Sequence, residues 1–547
     1  VPLAILIGSQ MPWLDQETLG PTVIGDYVRI FLIFALPNIL VTSAIFFAVA
    51  CVFRSMMLSY VGVLVFLVLY FTLTSLAGSQ PEIRDTIATI EPFGLGAFSD
   101  LTRYWSAAES NSLVPPFEGT LMWNRLISIA LAAVALAIAY SRYSFAEKGV
   151  SARKLKKEQK REVKEAAEQP ALVDRLPAPN QAAAAWPRLV ARTRLEMNLI
   201  FTSPAFFVLI LIGLFNSGGA LWFANQLYGT PAVPMTFALL MPLFDSFGII
   251  PIIVAIYFAG ELVWRDRDRG MHEIIDSTAL PNWAYFIPKV IAVAAVLIAT
   301  LCIAALTAIL VQLFRGYTAI ELDKYLMWFI LPYSVDMLMT AILAVFFQAL
   351  STSKYMGWGL MVIYLVASIT LVSLGFEHPL YNFGDVGFVM VSDLNGADVG
   401  GAKSWWLRLY WVGVCLILSV IAYLLWRRGV AVSLRAQIAR IPSRLVGMPA
   451  ALLLSGFAIS AVTGGWMFYQ MNVVNEYVIS DEEEERLADY EKQFLQYESV
   501  KQPSATHVQF TVDLYPHQGR ALVNGRYTLV NDTGAPVEEL HVLFQDG

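Results

Sequence analysis

Ten stretches of this chain are long and apolar enough, or nearly so, to cross a lipid bilayer, and that repeated pattern constrains its fold more than any other feature. A membrane helix needs about 20 mainly apolar residues to traverse roughly 30 Å of hydrocarbon. The segments are 27–52, 57–78, 121–141, 202–222, 237–262, 284–313, 326–349, 356–375, 406–427 and 448–470, and residues 1–12 read as the tail of another. Composition agrees: 57% of residues are hydrophobic and only 15% charged, whereas a soluble domain is about one quarter charged. The net charge of −6 gives no reason to expect a nucleic-acid partner. Cys51, Cys302 and Cys415 all lie inside apolar runs and read as small hydrophobes. Val1 stands in mid-hydrophobic sequence and Gly547 follows a strand-like run. Both ends read as cut, so the expectation is a segment of a longer protein.

Lysine and arginine set the orientation, because cytoplasmic loops retain positive charge. The segment after Tyr140 is dense with it, from Arg142 through Lys154 and Lys157 to Lys164. Counting spans alternately from there puts Arg265, Arg267 and Arg269 on the same side, together with Arg427, Arg428, Arg435, Arg440 and Arg444. The opposite loops hold few, among them Arg84, Arg103, Arg315, Lys324 and Lys403. One alternating topology satisfies every loop, and it puts the chain after about Met471 outside the cytoplasm.

The chain also repeats itself. Phe34-Ala-Leu36-Pro37 returns as Phe329-Ile-Leu331-Pro332, and Tyr60-Val-Gly62 as Tyr355-Met-Gly357. Phe93-Gly94 returns as Phe383-Gly384, Trp123-Asn-Arg125-Leu126 as Trp406-Leu-Arg408-Leu409, and Ala139-Tyr140 as Ala422-Tyr423. Five matches in order, at slowly drifting spacing, point to duplication; by alignment with the second copy, roughly 100 residues of the first copy precede Val1. Two parallel halves about an axis along the membrane normal are a common transporter architecture. The expected fold class is therefore mainly α: a polytopic transmembrane helical bundle of two parallel repeats, the first truncated, followed by the start of an antiparallel β-domain. The expected divisions are the end of the first repeat (1–141), a basic then Ala/Pro-rich cytoplasmic linker (142–191), and a six-span second repeat (192–428). A connector with the last span (429–472), an acidic stalk helix (473–502) and the first β-strands (503–547) follow.

The cytoplasmic segment Gly260 to Asp276 is the most informative. A span runs out into alternating charges at Arg265, Asp266, Arg267 and Asp268, breaks at Gly270, and resumes as a short amphipathic turn. Helical spacing puts Met271, Ile274 and Ile275 on one face. Such a helix suits docking onto a soluble partner, with Glu261, Trp264, Arg265 and Arg267 beside it; an interfacial helix against lipid headgroups is the alternative. His272-Glu273-x-x-Asp276 lacks the second histidine of HExxH and is rejected as a metal site. No catalytic residue is assigned anywhere in the segment. Carboxylates inside spans are functional candidates because burying them in hydrocarbon is costly. Asp245 and Asp336 are the two here, with hydrogen bonding between helices the simpler role for each. The first-half counterpart of Asp336 is Val41, so symmetry does not demand that charge.

The Gly260-to-Pro281 segment, Arg194-Leu195-Glu196 before a span, and Glu91-Pro92-Phe93-Gly94 together resemble ABC-2-type transporter permeases of the subfamily fused to an M1-type metallopeptidase. The resemblance covers most of residues 1–470. It implies a partner ATPase, as a dimer, bound at the short cytoplasmic helices, with ATP carried on that subunit. No GxxxxGK[ST] motif occurs in this chain, in agreement with that division of labour.

Beyond the last span, Ser480-Asp-Glu-Glu483 has the pattern of a capping box opening an acidic helix, with Leu487, Tyr490, Phe494 and Tyr497 along one side. The period then changes to two over 508–514, 522–529 and 540–544, which reads as three strands. Phe510-Thr-Val512-Asp-Leu514, Gly525-Arg-Tyr527-Thr-Leu529 and Glu539-Leu-His-Val542 resemble the opening of the M1 N-terminal β-domain. That resemblance implies zinc ligands and a catalytic glutamate downstream of Gly547, and no cofactor within this segment. His507, His517 and His541 read as surface or turn residues. The expected function is the permease subunit of an ATP-driven exporter in the bacterial inner membrane, with an extracytoplasmic peptidase-like domain. A membrane-anchored M1-type zinc aminopeptidase, or a scaffold for envelope proteins, stays open as the alternative.

Overall fold

The computed structural model describes residues 2–10, 22–53, 81–143, 185–223, 226–227, 230–231, 233–277, 281–387, 389, 391–393, 396–427, 434–439, 441–515 and 520–542, with scattered positions between 59 and 77. The chain is mainly helical. Among the described residues seven helices are long and apolar enough to cross a membrane, or eight if one bent pair counts as a span. The molecule therefore reads as a multi-pass membrane protein. It divides into two compact units: Val1–Ala367 with Asn382–Phe468, and Ser368–Tyr381 with Tyr469–Gly547.

The helices used below that lie or begin in the first unit are α1 (Ile24–Phe53), α2 (Gly119–Arg142), α3 (Ala185–Phe201), α4 (Pro204–Phe223), α5 (Thr236–Phe247) and α6 (Ile249–Asp268). The short α7 (His272–Asp276) leads to α8 (Trp283–Phe314), α9 (Leu322–Leu350), α10 (Lys354–Val372), α11 (Asp398–Leu425) and α12 (Met448–Val474). Helix α8 is the axis of the bundle: 61% of its most apolar window is buried, against 11% for α10. Its alanines and valines, among them Ala292, Val293, Val296, Ala304 and Ala308, let α3, α4, α6 and α9 approach closely. Without a hydrophobic driving force between helices in lipid, small residues and van der Waals contact carry the association. The α11–α12 seam shows this in its barest form. A Cβ on Gly413 would lie 2.9 Å from the Gly456 carbonyl oxygen, and one on Gly456 would lie 2.9 Å from the Gly413 carbonyl oxygen. Gly464 is packed as closely against the Tyr410 ring.

Proline shapes two of the spans. In both α1 and α9 a π-helical turn, Phe31–Ala35 or Tyr325–Ile330, runs straight into a Leu-Pro step. The Leu36 N–H reaches back to the Phe31 carbonyl and the Leu331 N–H to that of Leu326. Pro37 and Pro332 cannot donate to the carbonyl four residues back, and the turn ahead of each widens to accommodate the ring.

Of the ten expected spans, seven stand as single helices among the described residues, and the rest of the helical region differs from expectation in three ways. Segment 237–262 is two helices, α5 and α6, interrupted at Gly248, where Pro251 cannot donate to the Phe247 carbonyl. Helix α3 begins at Ala185, inside the stretch assigned to the linker, and meets α4 at a 59° bend. The stretch before α2 holds three further short helices, Pro81–Ile90, Leu95–Thr102 and Ala107–Ser112. Most of span 57–78 and of the 142–191 linker lies outside the described residues.

In the second unit α13 (Ser480–Phe494) is the expected acidic helix, but the capping box does not form. Ser480 Oγ instead donates to Glu377 Oε2 at 2.8 Å, and its backbone N–H to the same oxygen at 3.1 Å. Glu377 thus takes the Ser480 backbone N–H that Glu483 would accept in a capping box, and draws the hydroxyl with it in a charge-assisted bond. Tyr490, Phe494 and Tyr497 do stack along one side, with centroids 4.8 and 6.3 Å apart. Two strands follow, β1 (Ser504–Tyr515) and β2 (Arg520–Val530), as an antiparallel hairpin with a register shift between Ala505 and His507. Phe510 pairs with Gly525, and its ring covers the space a Cβ there would need. The third expected strand is absent over 540–542; residues 543–547, and His517 in the turn, lie outside the described residues.

Candidate functional site

Two sets of buried charges stand out in the helical unit. The first gathers at the end of the bundle where α3, α6 and α8 meet. Arg192 and Glu196, four apart on α3, face each other with Nε to Oε1 at 3.0 Å. Arg265 on α6 grips the other oxygen of Glu196, Nη1 to Oε2 at 2.8 Å, and Lys289 on α8 reaches Oε1 at 3.2 Å. Asp266 completes the set through Arg192 Nη2 at 2.9 Å and Arg265 Nη2 at 3.4 Å. Lys289 Nζ also donates to the Leu262 carbonyl. Glu196 has no exposed surface and Lys289 only 2%, so three basic side chains and two carboxylates must satisfy one another here. Burial pushes the Asp266 carboxyl up, but Lys289, Arg192 and Arg265 together hold it below the usual carboxylate range.

Beside this network α6 is tied to its other neighbours. Trp264 Nε1 donates to Gln348 Oε1 of α9 at 2.9 Å. Lys354, opening α10, bridges Asp268 at 2.8 Å and Glu261 at 3.2 Å. Gly260 lets the Trp358 indole of α10 lie where a Cβ would clash at 2.2 Å. Arg267 lies 5.9 Å over the Trp264 ring.

Helix α7 hangs from this braced end. Gly270 takes φ 67°, the left-handed conformation that ends α6 and turns the chain. Tyr285 Oη then donates to the Ile275 carbonyl at 2.9 Å, seating the short helix against α8. Met271 and Ile274 are exposed, Ile274 at 64%, while Ile275 is half-buried. Of the seven residues singled out in the sequence, Trp264 and Arg265 are internal ties and Glu261 is the Lys354 partner. Met271 and Ile274 form the free face.

The second set lies in the spans. Arg408 of α11 makes a two-pronged pair with Asp336 of α9, Nε to Oδ1 at 2.9 Å and Nη2 to Oδ2 at 2.8 Å, and Nη1 donates to Ser404 Oγ at 3.0 Å. The rings of Trp405 and Tyr333 lie 5.2 and 5.9 Å from its guanidinium carbon. Asp336 thus has an interhelical partner, whereas the side chain of Asp245 on α5 lies outside the described residues. Arg125 of α2 is equally buried but, among the described residues, bonds no carboxylate. It donates to Asn38 Oδ1 at 2.8 Å, to Asn124 Oδ1 at 3.0 Å and to the Pro92 carbonyl at 3.4 Å. Glu91, nearby and buried, is occupied by the backbone N–H groups of Phe93 and Gly96.

Sequence reasoning did not single out Lys289, Glu196, Gln348, Lys354, Arg125 or Arg408 as site residues. A signal existed for three of them, since Lys289, Arg125 and Arg408 are charges inside runs otherwise read as plain spans. No family model, no curated protein and no solved structure matches this chain.

Proposed function

We propose that this chain is the permease subunit of an ABC-2-type exporter of the bacterial inner membrane, driven by a separate ATPase that docks on α7. The observation that carries the reading is the contrast between α7 and its support. A short helix with Met271 and Ile274 exposed is fixed by Tyr285 to a helix end braced by five mutually paired charges. A push on a helix so mounted passes into α3, α6 and α8 rather than being lost in local bending. The duplicated architecture is supported by the paired π turns before Leu36-Pro37 and Leu331-Pro332 and by positive φ at both Gly94 and Gly384. Buried arginines at the matching positions 125 and 408 support it further. The hairpin β1–β2, exposed on both faces, supports its reading as the opening of a larger extracytoplasmic sheet, since two strands cannot bury a core.

The test is co-purification of the full-length protein with its ATPase from mild detergent, with ATP turnover measured on the complex. Met271→Asp and Ile274→Asp together should release the ATPase and abolish stimulated turnover while the permease stays monodisperse. Retention of the ATPase by this double variant would refute the docking role of α7.

A further inference from the structure

A small cavity opens beside the braced helix end, lined by Asp266, Arg267, His272, Lys289, Trp426 and Arg427 among others. Its volume is about 40 Å³. A single ordered water needs on the order of 10–15 Å³ of such space, so the cavity suits one small polar group rather than a nucleotide. Among the described residues, Arg427 Nε and Nη2 are buried here without a hydrogen-bond partner, and so is His272 Nδ1. Neither Asp266 nor Asp276, the two carboxylates of the lining, bonds that edge of Arg427. Nε and Nη2 form the side-on fork of a guanidinium, the same edge with which Arg408 grips both oxygens of Asp336. A fork of this geometry matches the paired oxygens of a carboxylate or phosphate. Burying it unpaired is costly, and Arg267 adds a second cation that disfavours the charge on Arg427 further.

We infer that this cavity is an oxyanion site in which the Arg427 fork, with Arg267 and His272, holds a phosphate group. Phosphate is the better fit because the site lies just past the end of an apolar span, where phospholipid headgroups meet a membrane helix. The apolar span of α11 ends at Leu425, two residues before Arg427. Trp426, which lines the cavity, packs its ring 5.9 Å from that of Phe286. Phe286 in turn lines an apolar cavity of about 470 Å³ with Val290, Val420 and Leu452. A phospholipid thus has a phosphate seat on one side of this aromatic pair and room for an acyl chain on the other. Free phosphate would use the same fork. The inference is independent of the ATPase, because it concerns a group that binds the permease alone.

Two measurements on the purified chain test it and separate the sources. Native mass spectrometry would follow reconstitution in nanodiscs of equal phosphatidylglycerol and phosphatidylcholine. The wild type should retain phosphatidylglycerol in preference, and Arg427→Gln should lower that occupancy about tenfold. Arg427→Lys, which keeps the charge and loses the fork, should fall between, and Arg315→Gln at the far end of α8 should match the wild type. Melting in detergent with millimolar inorganic phosphate against chloride of equal ionic strength forms the second arm. A phosphate-dependent rise in the wild type that Arg427→Gln abolishes, without lipid preference, assigns the site to the free anion. If Arg427→Gln does not fold, His272→Phe removes one donor only and should weaken retention in the same arm. Equal retention of both lipids together with no phosphate effect would overturn the inference. So would loss, in Arg427→Gln, of an acidic protein partner alone.

Discussion

Arg125 and Arg408 are both arginines of long apolar helices, equally withdrawn from solvent, and the molecule surrounds them in different ways. Arg408 is met by a carboxylate, Asp336, held in a two-pronged grip. Arg125 is met by side-chain and backbone carbonyl oxygens from Asn38, Asn124 and Pro92. The amide of Asn124 also donates to the Ala88 and Glu91 carbonyls at 2.8 Å, so the neutral site knits the preceding loop to the helix. Carbonyl oxygens thus take the bonding edge of Arg125, with the buried carboxylate of Glu91 nearby but bonded elsewhere. The Asp336 pair ties helix to helix, and the Arg125 site ties α1 and α2 both to each other and to the chain between them.

The contrast predicts an order of effects. The largest is Asp336→Ala, which leaves Arg408 buried and unpaired and should cost about 3–5 kcal/mol, read by reversible unfolding in mixed micelles. Should it cost less than removing an acceptor of Arg125, the ionic site is the less critical of the two. Asn38→Ala comes next. It deletes one hydrogen bond to a charged group and should cost about 1.5–3 kcal/mol, with Asn124 and Pro92 retaining the arginine; a larger loss would mean the neutral acceptors act as a unit. The smallest effect is Gly384→Ala, which meets open space and suffers only its φ of 79°, about 1–2 kcal/mol. Gly94→Ala must cost more in the same assay, because its new Cβ would lie 2.1 Å from Arg125 Nη2. Equal losses at the two glycines would show that the Arg125 site yields to accommodate a methyl group.

Much of the helical fold was legible because hydrocarbon thickness dictates segment length, and apolar runs such as 284–313 and 326–349 register it directly. The proline-induced break at Gly248 was not, since both flanks are apolar and only the Pro251 ring divides them. The candidate site was half legible. Gly270 and the spacing of Met271 and Ile274 announce a short exposed helix, but nothing local says that Trp264 turns inward to Gln348, 84 residues away. Charge partners are set by which helices become neighbours, and a linear pattern does not carry that. Ser480 failed for the same reason: its hydroxyl chose Glu377, a residue about a hundred positions away.

The π turns before Pro37 and Pro332 hold one more residue than an α-helical turn would. An α-helix advances about 100° per residue, so moving that surplus along the helix would swivel one side chain column relative to the rest without unwinding the span. In α9 the surplus lies about two turns before Asp336, so it helps set the direction from which that carboxylate faces Arg408. Slack of one residue, parked beside a ring that cannot complete the ladder, gives a rigid rod a detent.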